Sequence, residues 1–165
     1  RLRRGPVRQS DSGPPDDTAV TLQPTSLSGH DVLIGYGRVG SLIGQALAKR
    51  GMKILVIETS DDGVEKARQD GAEVIVGNAA DSEILTAANV ASARRLFVTI
   101  PEPFEAGQAV QQARSANPKL DILARAHSNA AVDHLNKLGA NLVVLGESEI
   151  ADRMLERAQG KNGGS

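Results

Sequence analysis

The sequence lacks cysteine and tryptophan altogether, and its aromatic residues are limited to one tyrosine and two phenylalanines. The absence of cysteine excludes disulfide bonds and thiolate metal ligands. With so few rings, the core must be built from Val, Ile, Leu and Ala side chains. No apolar run approaches the roughly 20 residues that a bilayer-spanning helix needs. The formal net charge of −1 gives no sign of a surface that binds nucleic acid.

The first 29 residues differ in composition from the rest. Four arginines open them: Arg1, Arg3, Arg4 and Arg8. Pro, Ser, Gly and Asp follow, with too few large apolar side chains to offset the entropy of ordering the chain. We therefore expect a flexible linker over 1–29, and a disordered tail over 160–165. The basic start is either the solvated end of a linker or the cytoplasmic flank of a transmembrane helix upstream; the first residue, Arg rather than Met, slightly favours the second.

Residues 30–159 alternate short apolar runs with stretches of helical periodicity. The runs predict strands at 31–35, 53–58, 73–77, 95–100, 120–125 and 141–146. They are continuous rather than alternating, which is typical of parallel strands buried on both faces. Apolar stripes between them predict helices that pack on the sheet, and the last stripe comprises Ile150, Met154, Leu155 and Ala158.

This alternation predicts one doubly wound α/β domain over 30–159, with a six-stranded parallel sheet in the order 3-2-1-4-5-6. In such a sheet, ligands bind in the crevice outside the carboxyl ends of strands one and four, where the strand order reverses. No sequence is left for a second globular domain that would cover this crevice.

A glycine motif lies between the first predicted strand and the first predicted helix. It reads Gly35, Tyr36, Gly37, Arg38, Val39, Gly40. Gly35 allows a tight turn, Gly37 lets a pyrophosphate approach the backbone, and Gly40 lets the helix pack closely. Free N–H groups at the helix start favour a bound phosphate. Arg38 either adds a contact to the phosphates or is an exposed first-turn arginine.

An acidic residue, Glu58, ends the second predicted strand. A carboxylate at this point accepts hydrogen bonds from both ribose hydroxyls and repels a 2′-phosphate. The residues that follow Glu58 include no arginine that could accommodate such a phosphate. Thr59, directly after Glu58, is part of the same predicted site. The motif and its spaced acid thus favour NAD(H) or an adenosine nucleotide over NADP(H).

Two further segments complete the predicted site. Asn78, after the third strand, is either a hydrogen-bonding partner of the adenine edge or a plain turn residue, and Ala79 leaves room for the ring. At the end of the fourth strand, Thr99, Ile100 and Pro101 are expected to line the adenosine or the nicotinamide half. These residues indicate binding and say nothing about a reaction.

Taken together, several motifs resemble the TrkA-N, or RCK N-terminal, domain of Kef-type bacterial monovalent cation:proton antiporters. They are the glycine motif, Glu58, the Gly77-Asn78-Ala79 turn, and the Arg125-x-His127 segment followed by L-x-x-L-G-A. The resemblance covers about 31–156; Asn78 departs from it, since many relatives have Asp there.

The resemblance implies a Rossmann-like regulatory domain on the cytoplasmic face of the bacterial inner membrane, following a transmembrane antiporter domain upstream. It implies NAD(H) or AMP as the regulatory ligand, and a homodimer formed through the late α/β elements.

Three residues lie at or just beyond the ends of the fifth and sixth strands: Arg125, His127 and Glu147. They are candidates for a second anionic ligand or for coupling across a dimer. The alternatives are structural. His127 would then be a turn or capping residue beside Ser128, and Arg125 would pair with Glu147.

Two rival functions remain: a small NAD-dependent oxidoreductase, and a soluble nucleotide-binding subunit of a potassium transporter or channel. Hydride transfer needs a proton donor or acceptor beside the substrate carbon. Tyr36, the only tyrosine, lies inside the glycine loop, and only His127 of the three histidines is near the predicted crevice. We therefore expect no enzyme activity. The scattered histidines also lack the spacing of metal ligands.

Overall fold

The computed structural model describes residues 22–160, and alternating strands and helices fill this range. The strands are β1 (Asp31–Ile34), β2 (Ile54–Glu58), β3 (Glu73–Val76), β4 (Arg95–Val98), β5 (Asp121–Ala126) and β6 (Leu142–Leu145). The helices are α1 (Arg38–Lys49), α2 (Asp61–Gln69), α3 (Ser82–Ala87), α4 (Pro103–Ala116), α5 (Asn129–Leu138) and α6 (Gly146–Ala158). A short 3-10 helix, Val90–Ser92, follows α3. The predicted linker residues 1–21 and tail residues 161–165 lie outside the described residues.

All strands pair in parallel, and their order is β3-β2-β1-β4-β5-β6. The predicted doubly wound sheet is therefore confirmed. Strand β1 is central, and each of its residues is buried, as the continuous apolar run predicted. The order reverses between β1 and β4, so that their carboxyl ends open a crevice there.

Several predicted helix boundaries follow from local chemistry. Ser60 and Ser128 cap α2 and α5, since their side chains accept hydrogen bonds from Gly63 N and Ala131 N at 3.1 Å each. Such caps satisfy one of the free N–H groups that every helix start leaves. These two helix starts are thus fixed by residues next to them in the sequence.

The last helix departs from its predicted packing. Its apolar stripe was expected to lie on the sheet, but none of the residues of α6 is buried. Ile150, Met154 and Leu155 are 62%, 70% and 53% exposed. The helix contacts β6 but does not cover the sheet face beside it. The core-packing prediction for this stripe is wrong for the isolated chain.

The segment 22–29, which we call the N-terminal strap, also departs from its prediction as flexible linker. Leu22 and Leu27 pack against the core. The backbone N–H of Thr25 donates to Ala87 O at 2.8 Å, and that of Gly29 donates to Ser92 O at 2.7 Å. Two large apolar side chains and these backbone bonds outweigh the polar composition of the segment.

None of the helices described over 22–160 combines the length and the apolar character needed to cross a membrane.

Candidate functional site

An open crevice of about 480 Å³ lies at the carboxyl ends of the central strands. This volume is within the range of small-molecule sites. Its lining contains every predicted site residue of the glycine loop, of the β2 end and of the β4 end. The lining residues are Ile34, Gly35, Tyr36, Gly37, Arg38, Val39, Gly40, Ile57, Glu58, Thr59, Gly77, Ala79, Thr99, Ile100, Pro101, Glu102, Glu105 and Arg125.

The glycine loop is held tightly between β1 and α1. Gly35 has a φ of +92°, in the region that glycine adopts without strain. A Cβ on Gly40 would lie 2.2 Å from Gly35 O, so that only glycine lets α1 start this close to the strand. The Thr99 hydroxyl donates to Ile34 O at 2.8 Å and clamps the same turn from β4.

Gly37 differs from these two glycines because it faces open space. A Cβ there would have nothing within 4 Å. Gly37 is also the N-cap residue of α1, and no side chain caps this helix start. Uncapped N–H groups and the positive end of the helix dipole favour an anion in the adjacent crevice. Arg38 is exposed at the same helix start.

Tyr36 contributes its backbone, rather than its phenol, to the site. The hydroxyl donates to Asp70 Oδ2 at 2.6 Å, and the ring packs against Gly44 of α1. Burial of the phenol, with the hydrogen bond to Asp70, raises the pKa of Tyr36. The same bond lowers the pKa of the Asp70 carboxyl, and Gln45 acts in the same direction. The phenol therefore ties the glycine loop to the far end of α2.

The Glu58 carboxylate is held in position by the protein itself. Its Oε2 accepts from Tyr36 N at 2.9 Å, and its Oε1 accepts from Ser60 Oγ at 2.8 Å and from Ser60 N at 3.2 Å. Oε2 has a further lone pair for a ligand hydroxyl, whereas Oε1 already accepts two hydrogen bonds. Sequence reasoning missed Ser60 in this role, although its place directly after the acid was a signal.

Asn78 is not brought into the crevice. It is exposed, and its Oδ1 accepts from Ala80 N at 2.7 Å in a local turn. Ala79 is buried and lines the crevice. The turn interpretation of Asn78 thus agrees with its geometry, and contact with adenine stays a prediction.

Two glutamates that sequence reasoning did not select line the crevice at the start of α4. Glu102 caps this helix by accepting from Phe104 N at 2.9 Å and from Glu105 N at 2.6 Å. Glu105 is half-buried. Burial raises the pKa of its carboxyl group, the charges of Glu102 and Glu58 act in the same direction, and a backbone hydrogen bond with Ala79 opposes them. The signal was the Glu-Pro-Phe-Glu segment after Pro101.

The three late candidates separate in the structure. Arg125 lines the crevice, whereas His127 and Glu147 are exposed and lie outside its lining. No ion pair joins Arg125 to Glu147, and no hydrogen bond involves the Arg125 guanidinium, within residues 22–160. Arg125 therefore keeps its donors available to a ligand.

No group of three or more His, Cys, Asp or Glu side chains in the described part of the chain is arranged to hold a metal ion.

The parallel sheet with its reversal point, the glycine loop and the ribose-binding type of acid place the chain in the class of Rossmann-like nucleotide-binding domains. Comparison with models of known protein families identifies the family of this domain. The TrkA-N domain model matches residues 32–146, and the chain belongs to the TrkA-N domain family.

The chain is similar to part of a longer membrane protein. It is 45% identical over 133 residues to the putative cation/proton antiporter YbaL of Escherichia coli strain K12. The match covers 81% of this chain but 24% of YbaL, so the chain spans about a quarter of that protein. The crystal structure of the TrkA-N domain of YbaL covers 80% of this chain and 98% of that domain, with a TM-score of 0.76.

Two other solved structures share the fold. The Kef C-terminal domain of Shewanella denitrificans, solved in an AMP-bound form, is 26% identical with a TM-score of 0.68, and the match covers 82% of each chain. The GsuK channel bound to NAD is 23% identical with a TM-score of 0.67. That match covers 75% of this chain and 23% of the channel, and at this identity it shows the fold alone.

Proposed function

We propose that this chain is the cytoplasmic regulatory domain of a monovalent cation:proton antiporter, and that NAD(H) or AMP binds in the crevice to gate transport. One observation carries the proposal: the uncapped start of α1, open at Gly37, shares a crevice with the oriented carboxylate of Glu58. Phosphates then lie on the helix start and the adenosine ribose on Glu58.

The relatives support a sensor over an enzyme. YbaL is a putative cation/proton antiporter, and the Kef C-terminal domain was solved in an AMP-bound form. The hydroxyl of Tyr36, the one tyrosine, donates its hydrogen bond to Asp70, and His127 lies outside the crevice lining. Neither side chain is therefore placed to exchange a proton with a substrate in the crevice. A bound nucleotide regulates transport by its different affinities for the conducting and the closed state.

Loss of the Glu58 carboxylate is expected to weaken nucleotide binding. Glu58→Ala removes the partner of both ribose hydroxyls, and we expect the affinities for NADH and AMP to fall by about tenfold or more, the value of one hydrogen bond to a charged group. Titration calorimetry on the chain measures this. Glu65→Gln, an exposed acid on α2, is the control. Unchanged affinity in Glu58→Ala would refute the site.

Gating is tested in the longer protein that carries this domain. Cation-driven proton flux is measured in inverted membrane vesicles, with and without NADH or AMP. We expect the nucleotide to change the flux, and Glu58→Ala to abolish the change without abolishing the basal flux. A nucleotide effect that survives in Glu58→Ala would contradict gating through this crevice.

We further propose that the domain dimerises through α6. An apolar groove of about 360 Å³ runs beside this helix on the uncovered sheet face. Its lining includes Ile43 of α1, Phe97 and Leu123 of the sheet, and Ile150 of α6. The apolar stripe of α6 is exposed and lies next to an apolar groove. This arrangement fits a two-fold symmetric dimer in which α6 of each copy packs against the groove of the other.

Charges on the α6 stripe are expected to separate the two copies. The double variant Ile150→Asp, Met154→Asp places two carboxylates in the apolar contact. Burying these charges without partners is unfavourable, so the dimer is destabilised. Light scattering is expected to give twice the mass of the chain for the wild type and the mass of one chain for the variant. Glu149→Lys changes a charge on the opposite side of α6 and should remain a dimer. A wild-type monomer at high concentration would overturn this assignment.

A further inference from the structure

The adenine end of the crevice follows from the position of Glu58. With the ribose on Glu58 and the phosphates on the start of α1, the base extends towards the loop after β3, where Gly77 and Ala79 line the crevice. Glu105 of α4 lines the same crevice as Ala79, and the backbone of Ala79 is close enough to lower the pKa of the Glu105 carboxyl group. Since Asn78 is outside the lining, Glu105 is a polar side chain of the lining available to this end.

Glu105 differs from the two other acids of the crevice in how its carboxylate is used. Both oxygens of Glu58 accept from the residues beside it, and both oxygens of Glu102 cap α4. No lysine or arginine pairs with Glu105 within residues 22–160. A half-buried carboxylate without a cationic partner carries a desolvation cost. A ligand group that donates a hydrogen bond relieves that cost.

We propose that the carboxylate of Glu105 recognises the exocyclic amine of adenine and thereby selects adenine nucleotides among purine nucleotides. The proposal rests on the proposed function, because it requires a nucleotide in the crevice. Adenine presents the amine as a donor at its 6-position, whereas guanine presents a carbonyl acceptor there. A carboxylate accepts a hydrogen bond from the adenine amine and repels the guanine carbonyl oxygen. The same group therefore attracts adenine and disfavours guanine.

The helix that carries Glu105 is held beside the loop after β3. It lies in the first turn of α4, which packs against α3. The Gln112 side chain of the same helix donates to Ala80 O at 2.9 Å, which fixes α4 against the loop that holds the base. The backbone of Glu105 is therefore held beside that loop.

The test compares AMP with its 6-deamino analogue, purine riboside 5′-monophosphate, which keeps the ring acceptors and lacks the amine. Titration calorimetry on the wild-type chain is expected to give about tenfold tighter binding of AMP. Glu105→Leu removes the acceptor, so the two affinities should become equal. Glu105→Gln keeps an uncharged acceptor and should retain part of the preference. Glu83→Leu changes the corresponding first-turn glutamate of α3 and should leave the preference intact.

The outcomes distinguish a failure of the role of Glu105 from a failure of nucleotide binding in the crevice. Equal affinities in Glu105→Leu, with the wild-type preference present and the melting temperature unchanged, support adenine recognition. A preference for AMP that persists in Glu105→Leu overturns the role of Glu105 and leaves the nucleotide site standing. No binding of AMP, of its analogue or of NADH to the wild type overturns the proposed function, and the role of Glu105 with it.

Discussion

Gly37→Val is expected to weaken the binding of NADH and AMP by about a hundredfold while leaving the fold intact. The added side chain fills the space in front of the α1 start and keeps phosphate oxygens from its N–H groups. Loss of two hydrogen bonds to a charged group, at about 1.5 kcal/mol each, gives that factor. The fold has room for the change because a Cβ at Gly37 meets no atom within 4 Å.

Two measurements on Gly37→Val check this result. Titration calorimetry gives the affinities, and thermal unfolding followed by circular dichroism gives the melting temperature. Wild-type affinity in a fully folded Gly37→Val would contradict the placement of the phosphates at this helix start. It would leave the family assignment untouched, since that depends on the match of the whole domain.

Gly40→Ala is expected to have the opposite signature, a large loss of stability. Its methyl group would lie 2.2 Å from the carbonyl oxygen of Gly35 and 2.9 Å from the carbonyl carbon. Both atoms belong to the backbone, so α1 has to move away from β1 and lose buried contacts. We expect a loss of about 3 kcal/mol or more in the free energy of unfolding, and a fall in melting temperature of about 10 °C.

Thermal unfolding measures this effect, and Gly37→Val serves as its control, because the two variants lie in the same loop. A wild-type melting temperature in Gly40→Ala would show that α1 can start further from the strand than the structure places it. Nucleotide binding of Gly40→Ala is compared only at temperatures where the variant is folded.

The architecture could be predicted because its signals are local. Continuous apolar runs identified the strands, and Ser60 and Ser128 marked helix starts by their own hydrogen bonds. The core of the candidate site was predictable for the same reason. The glycine motif and Glu58 lie at the ends of adjacent parallel strands, which meet at one edge of the sheet.

Other features depend on contacts between distant segments, which periodicity does not encode. The stripe of α6 has the same pattern as a buried helix, and the pattern does not say whether its own sheet covers it. Glu105 reaches the crevice because α4 is held against the loop after β3 by the hydrogen bond from Gln112 to Ala80, which lie 32 residues apart in the chain. The side chain of Tyr36 lies in the glycine motif by sequence but reaches Asp70, 34 residues away.

The N-terminal strap determines where a mechanical load from the preceding chain would enter the domain. Its backbone bonds run to Ala87, at the end of α3, and to Ser92, in the 3-10 helix. Tension applied at residue 22 is therefore carried first by α3 and the 3-10 helix, before it reaches β1. Because α3 packs against α4, the strap is connected through α3 to the helix whose Glu105 lines the candidate crevice.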